Sequence, residues 1–169
     1  GIKVDEHFQS VSNPAVWSGG DCADWAGAEL TPLAGRAGRI IGETLTTGEK
    51  GIAVTHGNPS VCFSYPPIAC VGLKEEDAQA KGFDFDVAHK TGTHWFSYKR
   101  VGANAVMTKV LIEKGTDKIL GAHLLGLATE ELLNLFTIAM VHGLTTKQIK
   151  DVIKTYPTFT TYTAAMLSP

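Results

Sequence analysis

The segment from Ala128 to His142 limits the fold more than any other part of the chain. Its apolar residues are Leu132, Leu133, Leu135, Phe136, Ile138, Ala139, Met140 and Val141, and Gly143 follows as a C-cap. These residues cover more than one face of a helix. A helix apolar nearly all round has to be buried on two sides. One side can rest on a sheet of the same domain. The other is open to a second subunit.

A sheet to receive that helix is present just before it. Ala105 to Ile112 alternates, with Val106, Thr108, Val110 and Ile112 on one face. Lys114-Gly115-Thr116-Asp117 makes a turn, and Ile119 to Leu125 returns. This predicts a hairpin of the longer-loop kind. Val61-Cys62-Phe63-Ser64 reads as a further strand running into Tyr65-Pro66-Pro67. Leu73 to Lys81 reads as a short helix whose early Glu75, Glu76 and Asp77 suit the helix dipole. Thr145-Thr146 caps another short helix through Lys154. The region from 53 to 169 is therefore a mixed α+β unit, an antiparallel sheet with packed helices.

The first part of the chain reads differently. Ala15-Val16-Trp17 suggests a strand that ends in the turn Gly19-Gly20-Asp21. Thr31 is placed as an N-cap with Pro32 at the first helical position, and a helix follows to about Leu45. Its early turns hold Ala34, Gly35, Ala37 and Gly38. Glycine weakens a helix, so its use here points to a close neighbour, either a packed strand or a flat ligand near the helix start. Thr46 to Gly51 is a polar turn, and the domain boundary is placed after residue 52. The residues from 1 to 52 then form the end of an α/β domain.

Composition narrows the chemistry. Hydrophobic residues make up 44% and charged residues 19%, and the net charge is -2. No basic run is long enough for a phosphate face, so nucleic acid is not expected as a partner. The longest apolar stretch, Leu132 to Val141, is interrupted and too short for a membrane span. The three cysteines, Cys22, Cys62 and Cys70, are scattered and read as buried free thiols, which suits a reducing cytoplasm. The six histidines form no ligand pattern with them, and no metal site is expected.

Several segments, in order, resemble the superfamily of glutathione reductase, dihydrolipoamide dehydrogenase and mercuric reductase. Gly1-Ile2-Lys3-Val4-Asp5-Glu6 and Asn13-Pro14-Ala15-Val16-Trp17-Ser18-Gly19-Gly20-Asp21 are similar to its second flavin motif and the approach to it. Leu30-Thr31-Pro32-Leu33-Ala34 with Gly38-Arg39 is similar to the helix that follows. Phe63 to Leu73 resembles the lead-in to the dimerisation domain. Lys118 to Gly126, with Ala128 and Glu131-Leu132, resembles its central hairpin and interface helix.

The resemblance implies an FAD-dependent NAD(P)H oxidoreductase acting on a disulfide or related small molecule, and a homodimer. It implies that Asp21, on the turn with Gly20, accepts a hydrogen bond from a ribityl hydroxyl of FAD. From the residue alone, Asp21 reads as stabilising its own turn, and the resemblance is what favours the flavin role. It also implies that Leu30 and Thr31 lie near the pyrimidine edge of the flavin, where a positive helix end favours negative charge. The family's G-x-G-x-x-G turn for the FAD pyrophosphate does not occur in the sequence. The expectation is that the chain is the C-terminal piece of a longer oxidoreductase and is inactive alone, with self-association without a cofactor as the alternative.

One departure concerns the tail. Disulfide-reducing relatives carry His-Pro-Thr there, followed by Glu. Here the segment is Tyr156-Pro157-Thr158-Phe159-Thr160-Thr161, with Tyr156 at the acid–base position and Thr161 in place of the carboxylate. Tyrosine has a reference pKa of about 10 against about 6.5 for histidine, so it moves protons poorly near neutrality. Tyr156 is then either a hydrogen-bond donor at that position or interface packing. The resemblance also implies cis peptide bonds at Tyr65-Pro66 and Tyr156-Pro157.

Overall fold

A computed structural model describes residues 1–53 and 57–169. The chain divides into two units, Gly1–Asn58 and Pro59–Pro169.

In the first unit, β1 (Ile2–Lys3) pairs in parallel with β2 (Ala23–Asp24). Helix α1 spans Thr31–Thr47 and buries Leu33, Ala37, Ile40 and Thr44. These positions recur every three or four residues and form a single stripe. The small core joins Ala37 and Ile40 to Phe8, whose ring meets Trp25 edge-on at 5.0 Å. Of the strand expected at Ala15–Trp17, only a single bridge from Trp17 to Gln9 forms. Ala15 is exposed, and Val16 and Trp17, half-buried, are tied to Ser10 and Gln9 without a longer ladder. Thr31 is not the N-cap. Leu30 takes that place in extended conformation, and its carbonyl accepts from the N–H groups of Leu33 and Ala34.

The second unit is built on a five-stranded sheet of order β3-β4-β7-β6-β5, antiparallel throughout. The strands are β3 (Ser60–Cys62), β4 (Ile68–Gly72), β5 (Phe85–Thr91), β6 (Met107–Glu113) and β7 (Ile119–Leu125). The expected hairpin is β6–β7, and Val106, Thr108, Val110 and Ile112 are all buried as the alternation requires. Leu111 is buried as well, beside a register irregularity at Leu111/Ile112. One face of the sheet offers Ala69, Val71, Ala88, Val110, Ala122 and Leu124 to the core. Helix α4 (Thr129–Val141) covers it by packing on β4 and β7 with Leu132, Leu133, Phe136 and Ala139. The fold class is α+β, as expected.

Between strands lie α2 (Glu75–Ala80) and α3 (Phe96–Arg100); α5 (Thr146–Asp151) and α6 (Thr163–Met166) follow α4. Thr145 caps α5 in a reciprocal box with Gln148. Helix α5 stops at Asp151, short of Lys154, because Val152 turns extended; the Lys154 ammonium folds back to donate to the Ile149 carbonyl. The strand at Val61 ends at Cys62 rather than Ser64. Both Tyr65-Pro66 and Tyr156-Pro157 are cis. The cysteines are free, but Cys22 and Cys62 are exposed and Cys70 is half-buried. The expectation of buried thiols fails because Cys22 lies on a surface turn and Cys62 ends a strand at the sheet edge. No described helix is long and apolar enough to cross a membrane.

Candidate functional site

Gly20, Asp21, Leu30 and Thr31 belong to the first unit. Gly20–Cys22 forms a 3-10 turn with Asp21 exposed in it. Gly20 has φ +71, the left-handed region that glycine enters without strain. The turn packs on the first half of α1 so closely that a Cβ on Gly20 would stand 3.0 Å from the Ala34 Cβ. One on Gly19 would stand 2.8 Å from that of Ala37. The close approach to α1 is therefore made through its alanines. Among the described residues, Gly35, Gly38 and Gly42 have nothing within 4 Å of a Cβ position, so no described neighbour packed against them accounts for their presence. The turn carries one exposed carboxylate beside the start of a helix whose first turn holds no acidic residue. Such a turn can accept hydrogen bonds from hydroxyls, and such a helix start favours an electron-rich group. Both suit the polyol and ring edge of a flavin.

Tyr156 belongs to the second unit. It is 66% exposed, and its ring stacks on that of Phe96 at 6.3 Å and 20°. The chain on both sides is tied by threonines. The Thr155 carbonyl accepts from the hydroxyls of Thr158 at 2.7 Å and Thr161 at 3.0 Å. The Thr161 hydroxyl also accepts from the Thr158 N–H at 3.1 Å. It holds backbone and is not turned to the Tyr156 phenol.

Sequence reasoning missed α3 and the aromatic cluster around it. Trp95 stacks on Tyr162 at 4.9 Å and 5°, and Tyr98 meets Phe159 at 4.6 Å. Burial pushes the Tyr98 phenol up to about 12, with neighbouring Tyr162 adding to the shift. Tyr98 is thus a fixed neutral anchor. The available signal was the density of rings in Trp95-Phe96-Ser97-Tyr98, matched by Tyr156, Phe159 and Tyr162.

Residues 58–166 match the dimerisation domain of the pyridine nucleotide-disulphide oxidoreductases. The chain belongs to this family. It is 38% identical over 167 residues to an uncharacterized 19.7 kDa protein in a mercuric resistance operon of Staphylococcus aureus, covering 99% of this chain and 93% of that protein. It is 30% identical to glutathione reductase of Debaryomyces hansenii, over 93% of this chain and 33% of the relative. The chloroplastic/mitochondrial glutathione reductase of Pisum sativum is 30% identical over 99% of this chain and 30% of its own length. The chain thus spans about a third of the glutathione reductases and nearly all of the staphylococcal protein. Among solved structures, the flavoprotein disulfide reductase RclA of Escherichia coli superposes with a TM-score of 0.84 at 24% identity, over 97% of this chain and 37% of RclA. LpdA of Mycobacterium tuberculosis does so with 0.85 at 19%, over 99% and 37%. At those identities the likeness is one of fold.

Proposed function

We propose that Pro59–Pro169 is a self-association module that joins two copies of this chain within a flavin-dependent oxidoreductase. The observation that carries this reading is the outward side of α4. Ile138 is 55% exposed and Val141 48%, and Leu135, in line with them, is half-buried. They form a second apolar stripe that the described residues leave largely uncovered. A stripe that meets its own copy across a two-fold axis is self-complementary without further design. The interface should bury more than the ~1,000 Å² expected of a specific contact. Sedimentation at micromolar concentration should give a dimer; monomer alone would overturn the reading.

In the whole protein, Asp21 would accept from a ribityl hydroxyl of FAD, and Gly20 would let the backbone come close. Leu30 and Thr31 would meet the pyrimidine edge. The left-handed Gly20 and its tight seat on Ala34 support this. Bound FAD would supply the two-electron chemistry, with NAD(P)H as cosubstrate and a disulfide or related small molecule as acceptor. Tyr156 would offer a phenol at the place of the family's acid–base histidine. The three free cysteines support a reducing, cytoplasmic setting.

This chain alone should bind FAD weakly or not at all, since its sequence lacks the G-x-G-x-x-G turn for the pyrophosphate. A stoichiometrically yellow purified chain would contradict that. The second reading is a self-association module that works without any cofactor of its own. It is supported by the staphylococcal relative, a protein of 19.7 kDa that this chain spans almost end to end. Flavin content of the protein purified from its native source, rather than of this chain alone, distinguishes the readings.

A further inference from the structure

Consecutive residues Trp95, Phe96, Ser97 and Tyr98 all hold the C-terminal tail. Trp95 stacks flat on Tyr162, and Tyr98 packs on Phe159. The Ser97 N–H donates to the Tyr162 Oη at 2.9 Å, and its Oγ donates to the Thr158 carbonyl at 3.1 Å. Phe96 stacks on Tyr156. The anchors are deep: Ser97 and Tyr98 are each 1% exposed and Thr163 is fully buried. The tip is not, for Phe96 is 51% and Tyr156 66% exposed. Burial alone therefore does not explain where Tyr156 sits. A deeply fixed scaffold holds one phenol outward, with one face of its ring backed by Phe96.

We propose that Phe96 and Ser97 are positioning residues for Tyr156. Ser97 fixes the Thr158 carbonyl and so sets the direction in which the chain leaves Pro157. Phe96 backs one face of the Tyr156 ring and leaves the opposite face and the phenol free for a partner. The threonine bonds to the Thr155 carbonyl hold the chain on the other side of Tyr156. The proposal rests on Tyr156 being a residue of the site.

The test uses the full chain with isotope-labelled tyrosine. The protein has four tyrosines, so the ring signals are few, and Tyr156→Phe identifies the one in question. Phe96→Leu should shift the Tyr156 ring signals by loss of the neighbouring ring current and leave those of Tyr162 in place. Phe96→Tyr should restore them. Ser97→Ala should broaden the Tyr156 signals and raise the rate of Tyr156 nitration by tetranitromethane severalfold. Tyr156 signals identical to wild type in Phe96→Leu would overturn the proposal, and this half-exposed site tolerates the change even if Ser97→Ala fails to fold. Sedimentation of the same samples keeps the outcomes apart. A monomeric wild type would sink the dimer reading, while the ring signals would still decide whether Tyr156 is held.

Discussion

Helices α1 and α4 solve the same packing problem with different degrees of completeness. Helix α1 buries Leu33, Ala37, Ile40 and Thr44 along one line, and the exposed side of its first three turns is Arg36, Arg39, Glu43 and glycines, with one exposed apolar residue, Leu45, in its last turn. Apart from Leu45, its apolar residues are buried or half-buried within its own unit. Helix α4 buries Leu132, Leu133, Phe136 and Ala139 against the sheet and still presents Leu135, Ile138 and Val141 outward. The difference separates two meanings of an apolar residue in a helix. On α1 it reports only where the core is. On α4 part of the apolar surface remains after the core is complete, and that remainder is the sign of association.

The inward and outward sides of α4 should therefore fail in different ways. Phe136 is 1% exposed at the centre of the larger core. Phe136→Ala should cost about 3–5 kcal/mol of unfolding free energy, read from denaturant midpoints. The double change Ile138→Asp and Val141→Asp should leave the far-ultraviolet spectrum and unfolding midpoint of the monomer intact. It should weaken association by at least about 30-fold, the equivalent of losing ~2 kcal/mol at a central contact. Unfolding by the outward pair, or unchanged association, would erase the distinction between the two sides.

What was legible in the sequence followed from period and punctuation. The β6–β7 hairpin alternates through Val106, Thr108, Val110 and Ile112 about a polar turn, and α4 ends at a glycine with φ +63. Strand β5 was not legible. It is an edge strand in which only Ala88 is buried, so its sequence Phe-Asp-Val-Ala-His-Lys-Thr lacks a consistent inner face. Strand β4 buries Ala69 and Val71 among small neighbours, which gives a weak signal. At the site, the turn of Gly20 and Asp21 could be read locally because a glycine pair and a carboxylate mark it. The hold of Ser97 on the tail could not. Its partners Thr158 and Tyr162 lie 61 and 65 residues away, and nothing local in Ser97 announces them.

A smaller effect tests how α5 is seated after α4. Thr145 accepts from the Gln148 N–H at 3.2 Å, while Asp117 accepts from the Thr146 hydroxyl at 2.6 Å and the Lys147 N–H at 3.0 Å. Thr145→Ala should cost about 1 kcal/mol, typical of a lost N-cap, by chemical denaturation. The Thr146 hydroxyl holds the Asp117 carboxyl below its ordinary value, against the opposing effect of burial, with Lys147 N–H and Lys150 assisting. A depressed carboxyl stabilises the fold above its unfolded pKa, and that contribution is lost as pH falls through the folded one. Asp117→Asn should therefore flatten the acid limb of the stability profile.

The smallest effect returns to α1. Gly35, Gly38 and Gly42 lie on its exposed face, and a Cβ at each would meet nothing within 4 Å. Glycine inside a helix costs about 0.5–1 kcal/mol relative to alanine, because the unfolded chain gives up more freedom. Replacing Gly38 by Ala should therefore stabilise the first unit by about that amount, with a rise in its thermal midpoint. The comparison with α4 makes the sign informative. If α1 has no second partner, alanine is better at each of these positions, and each gain is measured singly because neighbours three or four apart on a helix can couple. If Gly38→Ala instead leaves stability unchanged or lowers it in the intact chain, α1 meets something along its glycine face. The glycine face of α1 would then be a second surface that awaits a partner, beside the stripe on α4.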